Sequence, residues 1–148
     1  MRRTAPRAGS SPSAGPGVFA GEEYSAEEDR AVASVRAAFE TEPDWRHGMR
    51  AAIGAALWRL EENPGIGRAY AISETLSELV QRGIDQESTS PAMVDAVSGA
   101  IHRRLRTVAR GADPRPFDKL TGELMYLVVL PCLGREAACA ELHPRRLA

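Results

Sequence analysis

A chain of 148 residues with 43% apolar and 26% charged side chains has the size and composition of one soluble globular domain. Its net charge of −1 gives no electrostatic case for nucleic acid, and no apolar run reaches the roughly 18 residues of a membrane span. With only 5% aromatic residues, the core is expected to be aliphatic and alanine-based.

Residues 1–24 are rich in Gly, Pro, Ser and Ala, with Val18, Phe19 and Tyr24 as the sizeable apolar residues after Met1. Such a segment buries too little to offset its ordering entropy, so it is expected to be disordered. Arg2-Arg3 is not followed by the apolar core of an export signal, which leaves the cytoplasm as the default compartment. The helical domain is expected to span residues 25–142, with 143–148 frayed.

A first helix is expected over Ser25–Thr41. Ser25 with Glu28 has the spacing of a capping box, and Val32, Val35 and Phe39 form an apolar stripe. Pro43 then breaks the chain. Asp44 is placed to cap a second helix ending at Glu62. This helix carries a main stripe of Trp45, Met49, Ile53, Leu57 and Leu60, and a second strip of Ala51, Ala55 and Trp58. Two apolar faces predict a helix sandwiched in the middle of a bundle.

Asn63-Pro64 reads as an N-cap followed by proline at the first helical position, opening a third helix that Gly83 stops. Ile66, Tyr70, Leu76 and Val80 are its expected inward residues. After a polar linker, Ser90-Pro91 opens a fourth helix with apolar residues Met93, Val97, Ile101, Leu105 and Val108, ended by Gly111. A fifth helix is expected over Phe117–Leu130, apolar nearly all round in its second half, with Pro131 and Gly134 as breaks, and the short Pro-rich turn before it predicts an antiparallel hairpin with the fourth. A short terminal helix over Arg135–Leu142 completes an all-α bundle of about five main helices.

No residue pattern carries catalytic or metal chemistry. His47 and His143 each have one partner at helical spacing, Asp44 and Cys139, whereas a zinc site needs three or four ligands. Cys132 and Cys139, seven apart, match neither a zinc pattern nor a disulfide framework, and are expected to be reduced and at least half-buried. Ser73, Ser77 and Ser98 lie inside helices, without the strained turn of a nucleophile elbow. Pro64-Gly-Ile-Gly67 follows a helix and lacks the Lys-Ser/Thr of a phosphate loop. No cofactor, no metal and no enzymatic activity are therefore expected. The densest basic run, His102–Arg110, reads as a solvated helix face, because no aromatic residue interleaves with its arginines.

Two stretches resemble a known family. The pattern from Met93 to Leu105 followed by Glu123-Leu-Met-Tyr-Leu-Val-Val-Leu-Pro-Cys-Leu-Gly134, and the stretch Glu42–Arg68 with its Pro-Asp-Trp opening and Glu-Asn-Pro corner, are similar to the C-terminal domain of TetR-family transcriptional regulators. The resemblance covers roughly residues 28–138 and consists of hydrophobic patterning. It implies an effector-binding and dimerisation domain whose last two long helices pair with their twins across a two-fold axis. The residues so assigned to a homodimer interface are Val97, Ile101, Leu105, Leu120, Leu124, Leu127 and Val128.

The tail before the first helix has neither the room nor the pattern for the family's helix-turn-helix, so no direct DNA binding is expected of this chain. One more helix usually lies between the third and the penultimate helix in the family; here only Gly83–Thr89 fills that gap. A pocket for a small apolar or aromatic ligand would fall to Met49, Ile53, Trp58, Ile66, Tyr70 and Leu76. Spacing alone favours plain core for these six, and the resemblance brings the pocket level with it. The rival function, of another class, is a ligand-free interaction module that acts only by homo- or heterodimerisation.

Overall fold

A computed structural model describes residues 17–84 and 89–143. All regular structure among them is helical: α1 (Gly17–Glu40), α2 (Trp45–Glu62), α3 (Ile66–Gly83), α4 (Pro91–Ala109), α5 (Phe117–Leu133) and α6 (Arg135–Leu142). None of these helices is long and apolar enough to cross a membrane. Of the tail 1–24 expected to be disordered, residues 1–16 lie outside the described residues, as does the expected fraying of 144–148, whereas 17–24 are helical in α1.

Cap chemistry sets several of the boundaries. Asp44 accepts a hydrogen bond from the His47 N–H at 2.9 Å and opens α2, and Ser90 does the same for Met93 at 3.2 Å ahead of Pro91. Gly111, at φ 66°, ends α4 in the left-handed region, and the Ala112 N–H reaches back to the Thr107 carbonyl at 3.1 Å.

Three boundaries depart from expectation. The first helix begins at Gly17, so Ser25 lies inside α1 instead of capping it. Extending a nucleated helix costs little per residue, and no proline lies between Pro16 and Pro43 to stop it. Asn63 closes α2 instead of opening α3: its N–H bonds to the Arg59 carbonyl, and Gly65 becomes the N-cap of α3. Pro131 lies inside α5, which runs on to Leu133 and stops at Gly134, at φ 87°. A proline this close to a helix end forfeits the bond to the carbonyl four residues back and disturbs little beyond it.

The long fully buried side chains come from four helices: Met49, Ile53, Leu57 and Leu60 of α2; Ile72, Leu76 and Leu79 of α3; Ile101 and Leu105 of α4; and Leu120, Leu124 and Met125 of α5. This core is aliphatic, as the composition requires, and Phe39, Trp45, Phe117 and Tyr126 edge it. Helix α2 touches α1, α3, α4 and α5, which puts it at the centre, yet its second strip is covered only in part: Ala51 and Ala55 are half-buried and Trp58 is 56% exposed. The sandwich expected for α2 therefore holds on one face only.

Helices α4 and α5 do not form the expected close hairpin. Helix α4 packs chiefly on α3, whereas α5 packs chiefly on α6 and then on α2. Two close fits fix the N-terminal part of α2. The Trp45 indole N–H donates to the Leu79 carbonyl at 2.9 Å, and its ring lies where a Cβ on Gly83 would sit, 2.0 Å from Cε2. Arg46 and Arg50 both reach the buried carboxylate of Glu141, tying α6 to α2.

Candidate functional site

The six residues assigned to a ligand pocket do not converge on one cavity. Met49, Ile53 and Leu76 are at most 1% exposed and belong to the packed core, whereas Trp58, Ile66 and Tyr70 are 56%, 55% and 61% exposed. The angular arithmetic explains the split. At 3.6 residues per turn, Trp58 lies half a turn out of phase with Met49, and Tyr70 about a third of a turn out of phase with Leu76. Tyr70 stands on the outer face of α3, its ring centroid 5.4 Å from that of His102. His102 in turn faces Glu74, with Nε2 and Oε1 3.0 Å apart.

The residues assigned to the dimer interface are also placed differently. Val97, Ile101, Leu105, Leu120, Leu124 and Val128 are buried inside a single copy of the chain. Leu127 alone of the seven faces outward, half-buried. It lines a groove of about 350 Å³ between α4 and α5, together with Ala100, Arg103, Arg104 and Thr107. The stripes were assigned correctly as apolar, but they serve the intramolecular core first.

A larger cleft, of about 580 Å³, opens at the end of the bundle where α2 and α4 finish and α5 begins. Its floor is Leu60, Ala109 and Leu120, edged by Phe117, with Glu61 and Arg110 at the exposed margin. One wall is held by a charge cluster that sequence reasoning missed. Asp113, half-buried as a residue but with only 3% of its side chain exposed, accepts from the Arg115 guanidinium at 2.7 and 2.9 Å and lies 3.5 Å from Arg104. Arg115 also binds Glu123, and Arg104 lies 3.4 Å from that same carboxylate.

These hydrogen bonds, the Arg115 side chain first, hold the Asp113 carboxyl down to about 2 against the opposing effect of burial. The local signal was Asp-Pro-Arg-Pro at 113–116, a stiff turn with opposite charges two apart. Nothing local showed that Arg104 and Glu123 would join it.

Comparison with family models, curated proteins and solved structures finds no match.

His47 and Ser73 make local bonds. His47 Nδ1 lies 2.6 Å from the capping Asp44. Ser73 donates to the Ala69 carbonyl one turn back at 2.6 Å. Among the described residues, no three His, Cys, Asp or Glu side chains are grouped to hold a metal ion. Both cysteines are free thiols. Cys132 is half-buried, which pushes its thiol up, whereas Cys139 is exposed instead of half-buried. Arg103 and Arg106 of α4 and its C-cap Arg110 are exposed, as the periodicity requires.

Proposed function

We propose that the chain is a self-associating interaction domain, similar in role to the dimerisation domain of the TetR-family regulators its sequence resembles. The observation that carries this reading is the outer side of α5. Tyr126, Leu127 and Leu130 remain only half-buried after α2 and α6 have packed, and Leu133 is 53% exposed. Leu127 sits in the open groove beside Ala100 and Thr107. The apolar side chains of α5 beside this groove, which Arg103 and Arg104 also line, suit a helix of a second copy, and an isologous contact would bury the patch against its own twin.

This moves the interface from the buried stripes to the outward residues Ala100, Thr107, Leu127 and Leu130. Effector binding among Met49, Ile53 and Leu76 is not part of the reading, because their side chains already fill the core. Sequence-specific DNA contact and catalysis are not assigned to the chain.

Sedimentation equilibrium tests the proposal. The wild-type protein is expected to be a dimer, and Leu127→Asp a folded monomer with an unchanged helical circular-dichroism spectrum. A wild-type protein that stays monomeric at every concentration, or a Leu127→Asp variant that stays dimeric, sinks it. Leu124→Asp is the wrong probe: Leu124 is 1% exposed, so a charge there unfolds the chain whether or not it dimerises.

A further inference from the structure

We infer that the cleft at the end of the bundle is a binding site for a small amphipathic monoanion, an apolar body carrying one carboxylate, which Arg110 receives. The inference goes beyond self-association and stands without it. The volume, about 580 Å³, is that of a site for a small organic molecule, and Leu60, Ala109, Leu120 and Phe117 give it an apolar floor and edge.

The sign of the ligand follows from which charges at the cleft are already committed. Asp113 and Arg115 are bound to each other, to Arg104 and to Glu123, so they offer a ligand little. The two helix C-termini at the cleft have part of their carbonyls engaged. Those of α4 accept from Gly111 and Ala112 at 2.9 and 3.1 Å, and the Asn63 carbonyl that closes α2 accepts from Arg68. Helix α5 enters the same cleft with its positive end, where its N-cap, Pro116, supplies no side-chain bond and Asp118 is the acidic residue of the first turn.

Arg110 makes no ion pair among the described residues, and its guanidinium presents the fork that a carboxylate fits. Glu61 on the same margin repels a second negative charge and so limits the ligand to one.

The test uses octanoate, 1-octanol, octylamine and octanedioate as probes, read by chemical-shift changes of backbone amides on the full chain. Octanoate is expected to shift the Gly111, Phe117 and Leu120 amides in a saturable way. Octanol and octanedioate are each expected to bind at least about tenfold more weakly, and octylamine more weakly still. Arg110→Gln, an exposed change that leaves the fold intact, is expected to weaken octanoate about tenfold while leaving octanol unchanged.

Octanoate shifts that are absent or scattered away from the cleft overturn the site. Octanol or octylamine binding as tightly as octanoate, or an Arg110→Gln variant that binds octanoate undiminished, overturns the anion assignment. Octanedioate binding equal to octanoate overturns the limit to one charge. Repeating the titration on Leu127→Asp keeps a failure of this site distinct from a failure of self-association.

Discussion

Single side chains divide sharply here between those that hold the fold and those that only look as if they should. Met49 has no exposed surface, so Met49→Ala is expected to cost about 2–5 kcal/mol. Trp58, the larger residue on the same helix, is 56% exposed, and Trp58→Ala is expected to stay within about 0.5 kcal/mol. Urea denaturation of the two variants checks this, and a large loss at Trp58 would restore the sandwiched α2. Gly83→Ala belongs with the costly changes, at about 1–3 kcal/mol, because its Cβ meets the Trp45 ring at 2.0 Å and that ring is fixed by its bond to Leu79.

Asp113 adds a pH signature. A carboxyl whose folded value is lowered stabilises the fold above its unfolded value and loses that contribution as pH falls through the folded one. The contribution is therefore complete above 3.8 and fades toward about 2. Across that window the melting temperature of the wild-type protein should fall more steeply than that of Asp113→Asn.

Helices as elements were largely legible in the sequence, because their signals are local. Asp44, Ser90-Pro91, Gly111 and Gly134 mark ends within a residue or two of the observed ones. Misreadings arose where a local rule met a neighbouring element. Asn63-Pro64 has the pattern of a helix start, but the asparagine N–H was already used by α2. Pro131 has the pattern of a stop, yet α5 runs on to Leu133, packed against α6.

Contacts far apart in the chain carried no sequence signal, and the tether of α6 is one of them. Glu141, with 4% of its side chain exposed, holds Arg46 and Arg50, which lie more than ninety positions earlier. Glu141→Ala is expected to cost about 2 kcal/mol, within the range for hydrogen bonds to charged groups and at the lower part of it because both arginines are partly solvated. Its effect should be regional. Amide hydrogen exchange is expected to rise in α6 well before it rises in α3, and uniform acceleration would argue against a tether.

For the whole molecule, composition and periodicity were enough for an all-α bundle with an aliphatic core. They were not enough for which helix meets which. The stripes of α4 and α5 suggested a mutual hairpin with a twin outside it, because periodicity reports that a face is covered and not what covers it. The buried positions of Ile101, Leu105, Leu124 and Val128 show one copy meeting that need itself. What is left for a partner is the narrower outer face around Leu127, which is why the self-association test uses that residue.

The weak α4–α5 contact has a consequence for how the chain comes apart. Each strongest pairing is between neighbours in the chain, α1 with α2, α3 with α4 and α5 with α6, and local pairings of this kind favour fast folding. Helices α5 and α6 are joined to the others chiefly through α2. Under a pulling force applied at the C-terminus, the α2 seam and the Arg104–Glu123 bridge to α4 yield first, and the α5–α6 pair detaches as one piece while the α1–α4 part still resists.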